Sequence, residues 1–156
     1  MEQYKRALPP EILIPELLAL LDEAESVPLV ISGNSMTPFL VSGRDTVFLS
    51  KGTGALKKGD MVLYRRSSGQ YVLHRICKAE GKSFCLVGDA QTAVETGIRG
   101  DQVLAKVTAV RRKGRLLQAG SFWWDFFEKA WIRMIPLRPA LVGAYGVLTG
   151  KRRRGA

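Results

Sequence analysis

The chain contains one histidine, His74, and two cysteines, Cys77 and Cys85, among 156 residues. Residues so scarce form no cluster of histidine, cysteine and carboxylate at ligand spacing, so neither a metal site nor a cofactor is expected. The cysteines flank a turn signal at Gly81-Lys82 and would face each other across a hairpin. Without an export signal, two buried free thiols are the expectation rather than a disulfide. No run reaches the ~20 apolar residues that span a bilayer. The longest uncharged stretch near the end, 139–150, is short and interrupted by glycine and proline. The first residues lack the apolar core and small-residue cleavage site of a secretory signal, which points to a cytoplasmic protein. No segment repeats at a fixed period. Acidic residues are also few, 14 against 24 Lys and Arg, for a net charge of +10. Such an excess attracts anionic partners, nucleic acid or acidic lipid, and does not bear on fold.

What is present divides into three parts. Residues 1–26 form an N-terminal arm and helix. Positions 1–14 read as irregular, and 15–24 read as a short helix with proline in its first turn, Glu16 suited to the dipole, and Leu17, Leu20, Leu21 and Ala24 on one face. From residue 27 to 115 the pattern is that of short strands, at 29–31, 46–49, 61–64, 71–76, 84–87 and 103–110. They are rich in β-branched and aromatic residues and separated by turn signals at Ser42-Gly43, 52–54, Ser68-Gly69, Gly81 and 97–100. Close spacing without intervening helices predicts a mainly β fold, a curled antiparallel sheet or partial barrel. Residues 116–156 form an aromatic, basic appendage. Positions 123, 126, 127, 130, 131 and 134 follow helical spacing, Pro136 would end the helix, and Lys151-Arg152-Arg153-Arg154 closes the segment.

Reactive chemistry is concentrated in Ser32-Gly33-Asn34-Ser35-Met36-Thr37-Pro38-Phe39-Leu40, directly after the apolar run Leu29-Val30-Ile31. Gly33 permits close backbone approach to a substrate, and Pro38 stops the segment from continuing as a strand. Ser35 is thus a candidate nucleophile on a tight turn. A serine hydroxyl reacts only when a neighbouring base takes its proton. His74 lies in the alternating stretch Val72-Leu73-His74-Arg75-Ile76, on one face with Val72 and Ile76. The backbone N–H groups of Asn34 and Ser35 are the candidate oxyanion donors. Asp60 reads as the organiser of the turn before its strand.

The register Gly-x-Ser-Met-x-Pro after an apolar strand resembles the nucleophile box of the serine peptidase superfamily that joins type I signal peptidases with LexA-like repressors. Further boxes follow in order: Arg44-Asp45-Thr46-Val47-Phe48-Leu49, Lys58-Gly59-Asp60-Met61-Val62-Leu63-Tyr64, Val72-Leu73-His74-Arg75-Ile76 and Val87-Gly88-Asp89-Ala90. They cover about residues 27 to 112. Gly33, two before the serine, is closer to the repressor branch, whereas His74 matches the base of the histidine-using signal peptidases. The resemblance implies a Ser35–His74 dyad assisted by Asp89, in the manner of a carboxylate that fixes the tautomer of a catalytic histidine.

The activity so implied is hydrolysis of a peptide bond through an acyl-serine intermediate, in a peptide or protein substrate. Two alternatives are kept. A DNA-bound, self-cleaving module has too little chain before Ser35 for a helix-turn-helix, which speaks against nucleic acid. Its one Ala-Gly, Ala119-Gly120, lies downstream of the nucleophile. A non-catalytic module on an anionic membrane surface would use residues 121–154, whose tryptophans and terminal basic run have the composition of an interfacial anchor. A histidine base starts near pKa ~6.5, so activity is expected to rise through roughly pH 6 to 7.5.

Overall fold

The structure is a computed structural model and describes residues 8–51, 54–141 and 143–144. Lys151 to Arg154, read above as part of an anchor, lie outside the described residues. The fold is mainly antiparallel β. Eight strands form one sheet: β1 (Val27–Val30), β2 (Thr46–Ser50), β3 (Met61–Arg65), β4 (Tyr71–Glu80), β5 (Ser83–Val87), β6 (Glu95–Arg99), β7 (Val103–Arg112) and β8 (Arg115–Leu117). The order is β1-β2-β7-β3-β4-β5-β6, with β8 paired to β7, so the sheet does not close and β1 lies at one edge. Every pairing is antiparallel, and register shifts at Phe48/Leu49, Leu63/Tyr64, Ile76/Lys78 and Phe84/Leu86 bend the strands.

Two strands escape the sequence pattern. Residues 97–100, read as a turn, lie largely in β6, where Gly97 takes φ +70° inside the strand. β8 has only three residues and no alternation to detect. β4 runs past Ile76 because the extra residue Cys77 is absorbed as a bulge. Both thiols are free and half-buried, and Cys77 Sγ donates to the Cys85 carbonyl at 3.3 Å.

The N-terminal helix also differs from expectation. α1 spans Pro10–Leu20, so residues 10–14 are helical and Pro10, not Pro15, occupies the first turn. Pro15 lies inside the helix, where it has no N–H to close onto Glu11. Ile14 and Leu21 are buried, whereas Leu20 is exposed. No helix among the described residues is long and apolar enough to cross a membrane.

The main core lies between the sheet, α1 and the C-terminal segment, and includes Ile14, Phe39, Val47, Leu63, Val107, Trp124, Phe127 and Trp131. A smaller cluster of Val62, Tyr64, Ile76, Phe84, Leu86 and Ile98 fills the opposite face. The segment read as an appendage therefore supplies core. It begins as α2 (Phe122–Asp125), widens into a π-type turn at Phe126–Ala130, and tightens into 3-10 turns at Trp131–Leu137. The buried stripe runs through Trp124, Phe127 and Trp131, at spacings of three and four, so Trp124 is buried instead of Trp123, and Ile132 joins Trp131. Pro136 falls within the tight turns, and helical geometry resumes at 138–141.

Phe127 stacks on Phe39 at 4.7 Å between centroids, which ties this segment to the turn that carries Ser35. Phe127→Ala should therefore lower unfolding free energy by about 3 to 5 kcal/mol, as for other buried aromatics. Urea denaturation measures it, and a loss below about 1 kcal/mol would mean the aromatic segment is peripheral to the core.

Candidate active site

The apolar run before Ser35 forms β1, and its pairing with β2 delivers the chain to a turn over residues 33–40. Gly33 takes φ +81°, a conformation that favours glycine, and the space a Cβ would occupy there is open. The turn is held from several sides. The Ser35 carbonyl accepts from Ala90 N at 2.9 Å. Arg112 Nε donates to the Phe39 carbonyl at 2.7 Å and Nη2 to that of Pro38 at 3.4 Å. Behind it, the fully buried Asp45 accepts from Val41 N at 2.8 Å, Lys113 N at 3.1 Å and Arg44 Nε at 2.8 Å. Burial opposes ionisation of Asp45, but Arg44 and these N–H groups outweigh it and hold the carboxyl below its ordinary range.

Strand register relates His74 to the loop on which Ser35 rests. Arg75 pairs with Val87 across β4 and β5, so one residue further on Gly88 falls opposite His74. A Cβ on Gly88 would come within 2.5 Å of the Ser35 carbonyl oxygen and 3.1 Å of Ser35 Cβ. The serine thus fills the space that a side chain at 88 would take. Cross-strand neighbours lie about 5 Å apart at Cβ, so the bare backbone at Gly88 leaves the space next to His74 on that face to Ser35.

No hydrogen bond joins Ser35 to His74 among the described residues. Ser35 is half-buried, and its Oγ makes no hydrogen bond among the described residues. His74 is only 2% exposed, and its Nδ1 lies 3.2 Å from Tyr64 Oη. Nε2 makes no bond to a described residue either. It is not sealed, since Arg138 Nε is the buried side-chain polar atom without a partner among the described residues. The N–H groups of Asn34 and Ser35, the expected oxyanion donors, likewise donate to no described group.

Asp89 does not reach His74 in the expected way. Its two carboxylate oxygens accept from Arg75 Nε at 2.9 Å and Nη2 at 3.0 Å. Alternation along β4 sends Arg75 and His74 to opposite faces, and the carboxylate follows the arginine. The groups that do face His74 Nδ1 are Tyr64 and Glu95, the latter at 3.8 Å. Sequence reading missed both. Tyr64 looked like an ordinary strand aromatic, and Glu95 opens a strand that Gly97 disguised. Asp60 organises its turn as expected, accepting from Lys57 N at 3.0 Å. No three His, Cys, Asp or Glu side chains gather as a metal-binding group among the described residues.

Comparison with protein-family models, curated proteins and solved structures found no match. The site therefore rests on its own geometry.

Burial lowers the His74 pKa to about 4, an effect only partly opposed by the Glu95 charge. In the unfolded chain the same group titrates near 6.5. Protons thus favour the unfolded state between these values, and stability present above pH 6.5 is lost as pH falls towards about 4. Denaturation at a series of pH values should show this decline in the wild type. His74→Gln should lack it across the same window, and an equal decline in both proteins would place its origin elsewhere.

Proposed function

We propose that the protein is a serine peptidase in which Ser35 is the nucleophile and His74 the general base. The observation that carries this reading is the seating of Ser35 on Gly88, which continues the β5 register opposite the only histidine, with Oγ and Nε2 both without a hydrogen-bond partner among the described residues. Nε2 would take the Oγ proton as Oγ bonds to the scissile carbonyl carbon. The N–H groups of Asn34 and Ser35 would receive the resulting oxyanion. His74 then gives its proton to the leaving amine, and water resolves the acyl-serine by the same route. The burial that keeps His74 neutral also makes it a weaker base than one poised near pH 7.

A place for the peptide is proposed along β1, in a groove that ends at Ser32, three residues before Ser35. β1 is an edge strand, and an apolar groove of about 690 Å³ runs along it to Ser32, lined by Leu13, Leu17, Leu29, Ile31, Leu63 and Leu73 among others. An extended segment could pair with the free edge and lay apolar side chains in the groove. The sequence resemblance to signal peptidases and LexA-like repressors supports the same reading.

Ser35→Ala and His74→Ala should each abolish labelling by a fluorophosphonate probe and peptide hydrolysis while leaving the fold intact. Removing either member should cost about as much as removing both. The acid limb of kcat/KM should lie near 4, as the buried His74 dictates, below the 6 to 7.5 expected of an exposed histidine. Labelling that survives Ser35→Ala, or turnover that survives His74→Ala, removes the dyad.

Attachment to an anionic membrane surface is a further part of the proposal, supported by the exposure of Phe122, Trp123, Leu137 and Leu141 on a chain of charge +10. Trp123 and Phe122 pack edge to face, so they present one apolar surface. Vesicles of acidic lipid should bind the protein at low salt and release it as salt rises. The double variant Phe122→Ser, Trp123→Ser should bind less, and wild-type protein left in the supernatant at low salt overturns the idea.

A further inference from the structure

A base acting through Nε2 needs the His74 proton on Nδ1, and something must hold it there. Tyr64 is fully buried, and its Oη touches two groups: His74 Nδ1 at 3.2 Å and Glu95 Oε1 at 2.9 Å. Glu95 is in turn gripped by Arg66, whose Nε lies 3.0 Å from Oε1 and 3.1 Å from Oε2, with Nη2 also on Oε1. Arg66 is itself steadied by Gln70 at 2.6 Å.

A phenol has one proton to give, and an ionised carboxylate can only accept. The Arg66 guanidinium holds the Glu95 carboxyl below its ordinary range, against the opposing effect of burial. The Tyr64 proton therefore goes to Glu95, and Tyr64 Oη is left as an acceptor towards His74. Nδ1 must then bear the hydrogen, and the neutral ring has its lone pair at Nε2. With the proton on Nε2 instead, a bare Nδ1 and the carboxylate would compete for one phenolic hydrogen. Burial and the Glu95 charge both push the Tyr64 hydroxyl upward, so it stays protonated.

We infer that Tyr64 and Glu95 are positioning residues that fix His74 as the Nδ1–H tautomer, with Glu95 acting through the phenol in the role expected of Asp89. The inference rests on the peptidase reading for its purpose, but not for its test. Strand placement accounts for the relay. Val62 pairs with His74 and Tyr64 with Val72, so tyrosine and histidine share a face as diagonal neighbours across β3 and β4. Glu95 pairs with Leu86, which pairs with Ile76, bringing the start of β6 to the same face. The charged groups that act on His74 are Glu95, Arg66 and Asp89.

Because His74 is the only histidine, its two ring nitrogens give unambiguous signals in ¹⁵N-labelled full-length protein at neutral pH. The wild type should show a protonated Nδ1 and an unprotonated Nε2. Glu95→Ala frees the phenolic proton for Nδ1 and should reverse the tautomer, whereas Tyr64→Phe should give a mixture. Where peptide hydrolysis is measured, both variants should lower kcat on the order of 10²-fold with little change in KM. Nε2–H in the wild type, or Nδ1–H unchanged in Glu95→Ala, overturns the relay. The expected tautomers in a protein that takes no probe at Ser35 would uphold the relay and remove the peptidase. Probe labelling with the opposite tautomer would do the reverse.

Discussion

The ion pair between Arg75 and Asp89 joins β4 to the loop after β5, and the turn at Gly59, Phe39 and the C-terminal segment converge on it. Both side chains are essentially inaccessible, at 1% and 0% exposure. Two charges taken out of water are tolerated only when their remaining donors and acceptors are satisfied. Here they are: Arg75 Nη1 donates to the Gly59 carbonyl at 2.8 Å, and its guanidinium lies over Phe39. Trp131 Nε1 donates to the Asp89 carbonyl at 2.8 Å, and Arg138 Nη1 donates to those of Gly88 and Gln91. Breaking such a pair from one side would leave an uncompensated buried charge, at a cost of about 3 to 5 kcal/mol.

The pair links the C-terminal segment to the turn that carries Ser35, although none of its described side chains hydrogen-bonds to Ser35. Trp131 and Arg138 grip the loop at 88–91, that loop carries the N–H that holds the Ser35 carbonyl, and Gly88 is the surface on which the serine rests. Phe127 stacks on Phe39 from the other side. The turn that carries Ser35 is thus braced by the C-terminal segment, directly through Phe127 and by way of the loop at 88–91. A hydroxyl that must meet a base within a fraction of an ångström needs that support.

The same pair constrains the histidine. A carboxylate committed to both nitrogens of one guanidinium has little left for a second partner, and β4 turns His74 towards the other face. The small cluster there contains Tyr64, and the hydrophobic surroundings that desolvate His74 also make a hydrogen-bonded polar relay worthwhile. A buried polar group without a partner costs far more than a satisfied one gains.

Much of this was legible in local pattern. Alternation and turn residues placed six of the strands because a sheet with one buried face writes its period into the side chains. Ser35 and His74 stood out because one lies in a Gly-Ser-Pro turn after a strand and the other is the only residue of its kind. Local pattern failed at α1, where Pro15 hid a helix that starts at Pro10, and at β6, where Gly97 resembled a turn. It failed also in the aromatic segment, where two helical stripes were available and packing chose the one with Trp124. The order β1-β2-β7-β3-β4-β5-β6, the seat of Ser35 on Gly88, the commitment of Asp89 to Arg75, and the presence of Tyr64 and Glu95 beside His74 were decided by tertiary structure alone. The physical reason is separation along the chain. Glu95 lies 31 residues from Tyr64, and Arg138 lies 50 from Gly88. Periodicity carries no record of which distant strands will pair, and a side chain's partner depends on that pairing.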